Sequence, residues 1–250
     1  MKINNIYNEN CILGMRKIDN EVIDLTITSP PYNFGIMYDN YKDSLPIEEY
    51  RKNVQAVCNE IYRISTIGGR ICINVPLVTK CFDTGRRISL DQLYQNCLDK
   101  AGFLFREKIV WNKKGVTKRN AWGSYMLPSC PWVVYPDEVI LVYYKKNIKR
   151  EVNRDLVTLE KEEFKKATYG IWWIENIGEH NKKHPAVMAK EVVERLINFY
   201  SYKNDVVLDP YLGIGTTCIV AKELERKYIG FEISKKYYDI ALNSLNMIND

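Results

Sequence analysis

Short apolar runs alternate with amphipathic segments along most of the chain. Residues 22–28 are rich in β-branched side chains and are followed by two prolines, so they predict a buried strand that ends in a loop. Apolar residues then recur at intervals of three and four over 47–64, the spacing of one helical face. Ser44 is the predicted cap of this helix, and Pro46 is placed in its first turn. The first quarter of the chain therefore predicts a strand, a loop and a helix that packs one face on a sheet.

The same alternation continues to the end of the chain. Gly68 and Gly69 are expected to end the helix, and 70–76 is the next predicted strand. The other predicted elements are a strand within 3–7, a helix over 89–100, strands over 103–111 and 138–144, a helix over 186–200, a strand over 205–209, a helix from Thr216, a strand over 228–232 and a helix from Ser234. Strands joined by helices favour a parallel sheet covered on both faces, which is the doubly wound α/β class.

Length and composition argue against membrane, secreted and metal-binding classes of protein. At 250 residues the chain is long enough for one large core, and we expect a single domain over 1–250. No run approaches the roughly 18 apolar residues of a membrane helix, and the N-terminus lacks a secretory pattern. The seven cysteines include no close pair, and His180 and His184 precede a proline without a third ligand at a telling spacing. These features predict a cytoplasmic protein with no membrane span and no metal.

Positive charge and tryptophan are concentrated in the middle of the chain. Residues 100–183 hold 17 Lys+Arg against 10 Asp+Glu and all five tryptophans, whereas the rest holds 19 against 21. Within this stretch, 112–136 is rich in Gly, Pro, Lys and Trp, and 145–183 is charged and mixed. Basic side chains bind phosphates and aromatic side chains stack on bases. Both segments are therefore candidate insertions that bind nucleic acid, and an aromatic core under a solvated basic face is the alternative.

A glycine loop follows the predicted strand 205–209 and reads Asp209-Pro210-Tyr211-Leu212-Gly213-Ile214-Gly215-Thr216-Thr217. Its glycines let the backbone approach a ligand at the carboxyl edge of the sheet, where such sheets bind nucleotides. Glu232 ends the next strand 23 residues after Asp209, close to the roughly 20-residue offset of an acid that binds ribose hydroxyls. The third glycine of the dinucleotide fingerprint is missing, which disfavours NAD. The pattern predicts a nucleoside cofactor, and an ordinary glycine turn is the alternative.

The run Thr28-Ser29-Pro30-Pro31-Tyr32 also ends a strand, so we expect it at the same edge as the glycine loop. Its prolines stiffen the backbone and remove two amide donors, which leaves the Ser29 hydroxyl oxygen and a backbone carbonyl as acceptors. Two acceptors match the two hydrogens of an exocyclic NH2 group, and Tyr32 is expected to stack on the base. The loop suits an amine substrate, and a plain Pro-Pro turn is the alternative.

With these two motifs the chain resembles the amino-methylating DNA methyltransferases, in the subgroup whose catalytic motif precedes its cofactor motif. Segments 68–75, 111–113, 122–124, 138–142, 184–186 and 228–232 resemble the family's other blocks in the family's order. The family usually has Phe and Ser where this chain has Tyr211 and Ile214, and often has Asp where it has Asn10. After 184–186 this chain has Val187-Met188-Ala189 in place of an aromatic residue and a proline. The resemblance covers all of the chain except about 145–180.

This resemblance implies a doubly wound, mostly parallel seven-stranded sheet with one antiparallel strand, S-adenosylmethionine as cofactor, and a target base flipped out of double-stranded DNA. The expected catalytic residues are Ser29, Pro30, Pro31 and Tyr32. The expected cofactor-binding residues are Asn10, Thr28, His184, Asp209, Pro210, Tyr211, Gly213, Gly215, Thr216, Thr217 and Glu232. The expected DNA-binding residues are Lys113, Lys114, Lys118, Arg119 and Trp122.

The choice of base depends on the first loop. Methylation at carbon 5 of cytosine needs a Cys after Pro, and none of the nine prolines is followed by Cys. Ser29 resembles the cytosine-methylating members, since adenine-methylating members more often have Asp or Asn there. We therefore expect site-specific methylation of N4 of cytosine within a restriction-modification system, with a cognate endonuclease and a homodimer as candidate partners. The alternatives are adenine N6, an inactive nucleic-acid-binding protein with this fold, and methylation of an RNA or protein amine.

Overall fold

Strands and helices alternate through the part of the protein that the computed structural model describes, residues 1–39, 41–81, 83–113, 123–133, 135–175 and 187–248. The strands are β1 (Asn5–Tyr7), β2 (Ile23–Thr28), β3 (Met37–Tyr38), β4 (Tyr41–Lys42), β5 (Ser65–Pro76), β6 (Val78–Lys80), β7 (Arg87–Ser89), β8 (Leu104–Asn112), β9 (Glu138–Tyr144), β10 (Ile171–Trp173), β11 (Val206–Asp209) and β12 (Lys227–Phe231). The helices are α1 (Cys11–Met15), α2 (Ile47–Ile64), α3 (Leu90–Ala101), α4 (Lys161–Ala167), α5 (Lys190–Tyr200), α6 (Thr216–Glu223) and α7 (Lys235–Asn246).

Eight strands form one sheet in the order β1-β12-β11-β2-β5-β9-β8-β10. Neighbours are parallel except where β9 lies antiparallel to both β5 and β8. The predicted mostly parallel sheet with one antiparallel strand is confirmed, but the predicted count of seven strands is wrong. The short run that forms β10 pairs with the end of β8, and its central residue Trp172 is only 1% exposed. Burial of this large side chain fixes the eighth strand at the sheet edge.

Helices cover both faces of the sheet. On one face α1, α2 and α3 pack their apolar sides on the strands, with Met15, Val54, Ile61 and Leu93 buried there. On the other face α4, α5, α6 and α7 do the same, and their buried residues include Ala167, Leu196, Val220 and Ala241. Each large aliphatic side chain that is removed from water stabilises the fold by about 1.5–3 kcal/mol. The two layers confirm the doubly wound class.

Both predicted boundaries of α2 need correction. Its N-cap is Pro46 in an extended conformation, and Ser44 makes no cap. At the other end, Ile64 is the last helical residue, and Ser65 donates its hydroxyl to the Ile61 carbonyl at 2.7 Å as it begins β5. The predicted glycine stop is therefore wrong. The β-branched residue Thr66 and the pairing of Ser65 with Ile23 favour strand at this point.

Gly68 and Gly69 instead form a bulge within β5. The register against β2 shifts from Ile23–Ser65 to Leu25–Arg70, so extra residues are accommodated on the β5 side. Gly68 has φ +79°, a conformation that side chains other than glycine rarely adopt. The glycines therefore let one long strand begin immediately after the helix.

Several short elements were not predicted from the sequence, and three of them precede residue 100. They are the short helix α1 and the hairpins β3–β4 and β6–β7. The described part of 145–183 also contains a turn of 3-10 helix (Arg154–Leu156), α4 and the edge strand β10. This part of the predicted insertion thus contributes to the packed core. In the described part of the chain no helix is long and apolar enough to cross a membrane.

The direction of winding reverses between β2 and β11. From β2 the chain continues to β5 on one side, and from β11 it continues to β12 on the other, while β2 and β11 themselves pair in parallel. A crevice forms at the carboxyl ends of strands where the order reverses, and such crevices bind ligands in open α/β sheets. Both predicted motifs follow these two strands, so the fold places them side by side.

Candidate active site

Asp209 joins the two motifs at the carboxyl ends of β2 and β11. Its Oδ1 accepts hydrogen bonds from the Thr28 hydroxyl at 2.9 Å and from the Tyr211 amide at 3.1 Å, and its Oδ2 accepts one from the Thr217 hydroxyl at 2.7 Å. Burial raises the pKa of Asp209 to about 6, because a buried carboxylate loses its hydration. All of these contacts are internal. Asp209, Thr28 and Thr217 therefore align the two loops.

A cavity of about 420 Å³ opens between the two loops, a volume within the usual range for small-molecule sites. The predicted residues that line it are Asn10, Ser29, Pro30, Pro31, Tyr32, Pro210, Tyr211, Gly213 and Glu232. The predicted residues that do not line it are Thr28, Asp209, Gly215, Thr216 and Thr217. His184 lies outside the described residues. The structure thus brings the loop that carries Ser29 and five of the predicted cofactor residues to one cavity.

Glu232 is held at the wall of this cavity by backbone amides. Gly213 donates its N–H to Oε2, and Ser234 donates its N–H to Oε1, both at 2.8 Å. Burial raises the pKa of Glu232 above its usual value, while these two amides oppose the shift. Each oxygen keeps capacity for a further hydrogen bond, so the carboxylate can accept from a pair of neighbouring hydroxyls.

The two glycines of the loop have different roles. Gly213 has φ +55° and directs its amide at Glu232. Gly215 has φ +96° and precedes α6 as its N-cap, and a Cβ there would lie 2.9 Å from the Cβ of Ala241 on α7. Gly215 therefore permits close packing of α6 on α7, whereas Gly213 shapes the cavity.

Asn10 and Cys11 reach the cavity from the start of α1. The Asn10 Oδ1 accepts from the amides of Ile12 at 2.9 Å and Leu13 at 3.3 Å, so it caps the helix and leaves the side-chain NH2 group as a donor. The Cys11 thiol is hydrogen-bonded to the Tyr211 side chain, and burial raises the pKa of Cys11 to about 11. The thiol stays protonated at neutral pH. Sequence reasoning missed Cys11, whose only signal was its place beside Asn10.

The loop that carries Ser29 is fixed by contacts from two other elements. Tyr50 on α2 donates its hydroxyl to the Pro31 carbonyl at 2.8 Å and lies 3.0 Å from the Tyr94 hydroxyl. Thr79 on β6 donates its hydroxyl to the Tyr32 carbonyl at 3.0 Å. No donor to the Pro30 carbonyl is found in the part of the chain that the structure describes. A rigid loop thus presents one carbonyl that is available to a ligand.

Tyr32 lies largely buried beneath this loop, at 6% exposure. Its hydroxyl contacts the Ser29 hydroxyl and accepts from the Asn74 side-chain amide at 3.1 Å. Burial, and then the nearby charge of Glu138, raise the pKa of Tyr32 well above its usual value, so the phenol stays neutral. Asn74 and Glu138 lie on β5 and β9, far from the motif in sequence, and sequence reasoning did not find them.

Residues 33–39 and 41–46, here called the strap, contribute Tyr38, Tyr41 and Leu45 to the lining of the cavity. Two hydrogen bonds join its ends. The Asn33 side-chain amide donates to the Leu45 carbonyl at 2.9 Å, and the Leu45 N–H donates to the Asn33 Oδ1 at 2.7 Å. Asp39, at the turn of the β3–β4 hairpin, accepts from the Ser234 hydroxyl at 2.9 Å. Since the Ser234 amide also donates to Glu232, this contact ties the strap to the segment that carries Glu232.

The predicted DNA-binding residues are only partly described. The Lys113 side chain is 12% exposed, and its Nζ lies 2.6 Å from Glu138 Oε1, so it belongs to a partly buried ion pair. Lys114, Lys118, Arg119 and Trp122 lie outside the described residues. Lys113 thus stabilises the interior of the site, and its predicted contact with DNA has no support in this geometry.

A family model described as DNA methylase matches residues 23–243. The match includes both motifs, the strands that carry them and all residues that line the cavity except Glu9, Asn10, Cys11 and Ile12.

Relatives of known name support the same placement. The chain is 36% identical to the Type II methyltransferase M.MjaVI of Methanocaldococcus jannaschii over 62% of this chain and 78% of that protein. It is 30% identical to the Type II methyltransferase M.BglII of Bacillus subtilis over 98% of this chain and 69% of that protein. Its fold matches the DNA modification methylase TTHA0409 of Thermus thermophilus, solved in complex with S-adenosyl-L-methionine, with a TM-score of 0.76, 24% identity and coverage of 98% and 96%.

Proposed function

The chain belongs to the DNA methylase family, and from that premise we propose that it transfers a methyl group from S-adenosylmethionine to the exocyclic N4 amine of cytosine in double-stranded DNA. The observation that carries this proposal is the shared cavity, because Ser29 and Pro30 line it together with Glu232 and Gly213. A cofactor and an amine held there would lie next to each other.

The residues of the cavity fit S-adenosylmethionine. Glu232 offers two acceptor oxygens for the ribose hydroxyls, and Asn10 offers its amide as a donor. Tyr211 and Pro210 provide apolar surface, and Gly213 keeps the wall close to the ligand. When bound, the cofactor supplies an electrophilic methyl group attached to a positively charged sulfur.

The protein's contribution to the reaction is alignment. The Ser29 hydroxyl oxygen and the Pro30 carbonyl accept the two amine hydrogens, which turns the nitrogen lone pair toward the methyl group. The buried phenol of Tyr32 stays neutral and holds Ser29 from below, so Tyr32 does not act as a base. Its ring is the surface on which we propose the flipped base stacks.

Cytosine is proposed over adenine because of Ser29. A hydroxyl is shorter than the carboxylate or amide that adenine-methylating members more often carry, so the amine must approach the loop more closely. Adenine N6 is the second candidate, since it presents the same two hydrogens. Methylation of a defined DNA sequence within a restriction-modification system, with a cognate endonuclease and a homodimeric enzyme, extends the proposal. The Type II names of the relatives support that extension.

We propose that duplex DNA also contacts the β6–β7 hairpin. Lys80, Arg86 and Arg87 are exposed on it, and Thr79 ties it to the catalytic loop. Arg87 lies over the Trp132 ring, 5.9 Å from its centroid, so the hairpin also holds the exposed loop 123–133. This surface joins positive charge to apolar side chains beside the cavity, which suits phosphates and base edges.

Replacement of Arg86 and Arg87 by Gln should weaken DNA binding. It should also lower the magnitude of the slope of the logarithm of the binding constant against the logarithm of the salt concentration by about 1–2, because a protein with fewer phosphate contacts releases fewer counterions when it binds. The matched control is Lys203→Gln with Lys227→Gln, which removes the same charge just before β11 and at the first residue of β12, at the opposite ends of the strands from the cavity. Fluorescence anisotropy over a salt series measures both. Equal slopes for the two double variants would contradict the proposal that the hairpin contacts DNA.

The class of substrate is tested by offering labelled S-adenosylmethionine to the protein with DNA, RNA and an unrelated protein in separate reactions. We expect label in duplex DNA alone. Label in RNA or protein would assign the amine-binding loop to another polymer. Tight DNA binding with no cofactor binding by calorimetry and no label in any polymer would favour the inactive nucleic-acid-binding alternative.

A further inference from the structure

A buried hydrogen-bond chain runs from the catalytic loop into the sheet. It starts at Ser29, passes through the Tyr32 hydroxyl to Asn74, and continues to Glu138 and Lys113. Asn74 is 1% exposed, and the side chains of Glu138 and Lys113 are 15% and 12% exposed. Water therefore has little access to these groups, and the direction of each hydrogen bond is set by the neighbouring groups.

The Asn74 amide can point only one way. Its Nδ2 contacts a carboxylate oxygen of Glu138, and a carboxylate can only accept. The other oxygen of Glu138 accepts from the Lys113 ammonium at 2.6 Å, which holds the carboxylate in place. With Nδ2 facing Glu138, the second hydrogen of the same NH2 group is donated to the Tyr32 oxygen at 3.1 Å.

The Tyr32 hydroxyl has three hydrogen-bond contacts but only one hydrogen. A phenol has one hydrogen to donate and accepts through its oxygen. The Tyr32 oxygen accepts from the Asn74 side chain and lies 3.2 Å from the Asn74 backbone carbonyl, which can take the Tyr32 hydrogen. The remaining contact, with the Ser29 hydroxyl, could by itself run in either direction, and Ser29 is its donor when the Tyr32 hydrogen is given to the carbonyl.

We propose that Asn74 and Glu138 are positioning residues that set the direction of the Ser29 hydroxyl hydrogen, so that Ser29 meets the substrate amine as an acceptor. The hydrogen of Ser29 points inward to Tyr32, and both lone pairs of its oxygen remain for the amine. Without this arrangement the hydroxyl hydrogen could rotate toward the amine nitrogen and occupy the lone pair that must be methylated. The inference rests on the proposed role of Ser29 and holds for either base.

The test compares Glu138→Leu with Glu138→Gln by single-turnover methyl transfer. The Leu variant removes the acceptor that orients Asn74, and we expect its rate to fall about tenfold or more, the effect of one lost charged hydrogen bond. The Gln variant keeps a carbonyl that can accept from Asn74, and its rate should stay within about threefold of the unchanged protein. Affinities for cofactor and DNA should be the same for all three proteins.

Glu107→Leu is the matched control, because the Glu107 carboxylate also accepts a hydrogen bond from a buried side chain, that of Tyr200, and neither Glu107 nor Tyr200 lines the cavity. Glu107→Leu should lower the melting temperature but should leave the rate of methyl transfer unchanged. The inference is overturned if Glu138→Leu keeps the full rate, if the Leu and Gln variants lose rate equally, or if Glu107→Leu loses as much as Glu138→Leu.

A double variant separates this inference from the proposed function. In a Ser29→Ala protein there is no hydroxyl to orient, so adding Glu138→Leu should lower the rate no further. Full rate in Ser29→Ala itself would contradict the proposed role of Ser29. A slow Ser29→Ala protein in which Glu138→Leu causes its full additional loss would leave that role intact and overturn the positioning role alone. If the Ser29→Ala rate is below detection, the comparison of Leu with Gln at 138 decides.

Discussion

Ser29→Ala should lower the rate of methyl transfer at least about tenfold, because the substrate amine loses one of its two acceptors and is no longer held in line. Cofactor affinity should change little, since the residues that we propose bind the cofactor, among them Glu232, Gly213 and Tyr211, are left unchanged. The split between rate and affinity is the informative result. Single-turnover kinetics measures the rate, and calorimetry measures the affinity.

The control for Ser29→Ala is Ser234→Ala, on the opposite wall of the same cavity. Ser234 donates to Asp39 and caps α7, so its loss should lower stability and loosen the strap without affecting the amine acceptor. An unchanged rate in Ser29→Ala, or a similar loss of rate in both variants at equal cofactor saturation, would remove Ser29 from the mechanism.

Asp209→Asn should abolish one component of the pH dependence of stability. The pKa of Asp209 is raised by burial to about 6 from an ordinary value of 3.8, so between these values the folded protein binds a proton that the unfolded chain does not. The raised pKa therefore destabilises the fold above pH 6, and this penalty is relieved as the pH falls through the folded pKa toward 4. Asn keeps an acceptor for Thr28 and Tyr211 but carries no charge.

Unfolding by denaturant at pH 7.5 and pH 5 measures the difference. Relative to Asp209→Asn, the unchanged protein should gain roughly 1–2 kcal/mol in its free energy of unfolding between these two pH values. Other buried carboxyls, such as Asp24 and Asp43, also have raised pKa values, but they are common to both proteins and cancel in the comparison. Parallel stability curves for the two proteins would show that Asp209 does not titrate as its burial requires.

The sequence was sufficient to predict the sheet edge where the site lies. A β-branched strand followed by Pro30, and another followed by a glycine loop, place both motifs at carboxyl ends of parallel strands. The Thr28–Asp209 hydrogen bond shows that the two loops are neighbours. Local signals were enough here because each motif is continuous in the chain and its position follows from the strand before it.

Contacts between distant segments could not be predicted in this way. Asn74 and Glu138 resemble any polar residues at the ends of strands, and only the pairing of β5 with β9 brings them to Tyr32. For the same reason Lys113 was assigned to DNA from the charge of its segment, whereas its ammonium is paired with Glu138. The sequence shows how many charged residues a segment contains, but the tertiary structure decides which of them are exposed.

Gly215 shows the same limit within a motif. The sequence suggested that both glycines of the loop contact the cofactor, but the backbone of Gly215 faces Ala241 on α7. A glycine pattern predicts where side chains must be absent, and it does not tell whether a ligand or a helix fills the space.

The most direct test of the central claim is mass spectrometry of nucleosides from DNA treated with the pure protein and S-adenosylmethionine. We predict N4-methylcytosine, formed at a defined sequence, and its loss in the Ser29→Ala protein. N6-methyladenine as the sole product would contradict the assignment of cytosine to the Ser29 loop. Unmethylated DNA with bound cofactor would contradict the enzyme activity itself.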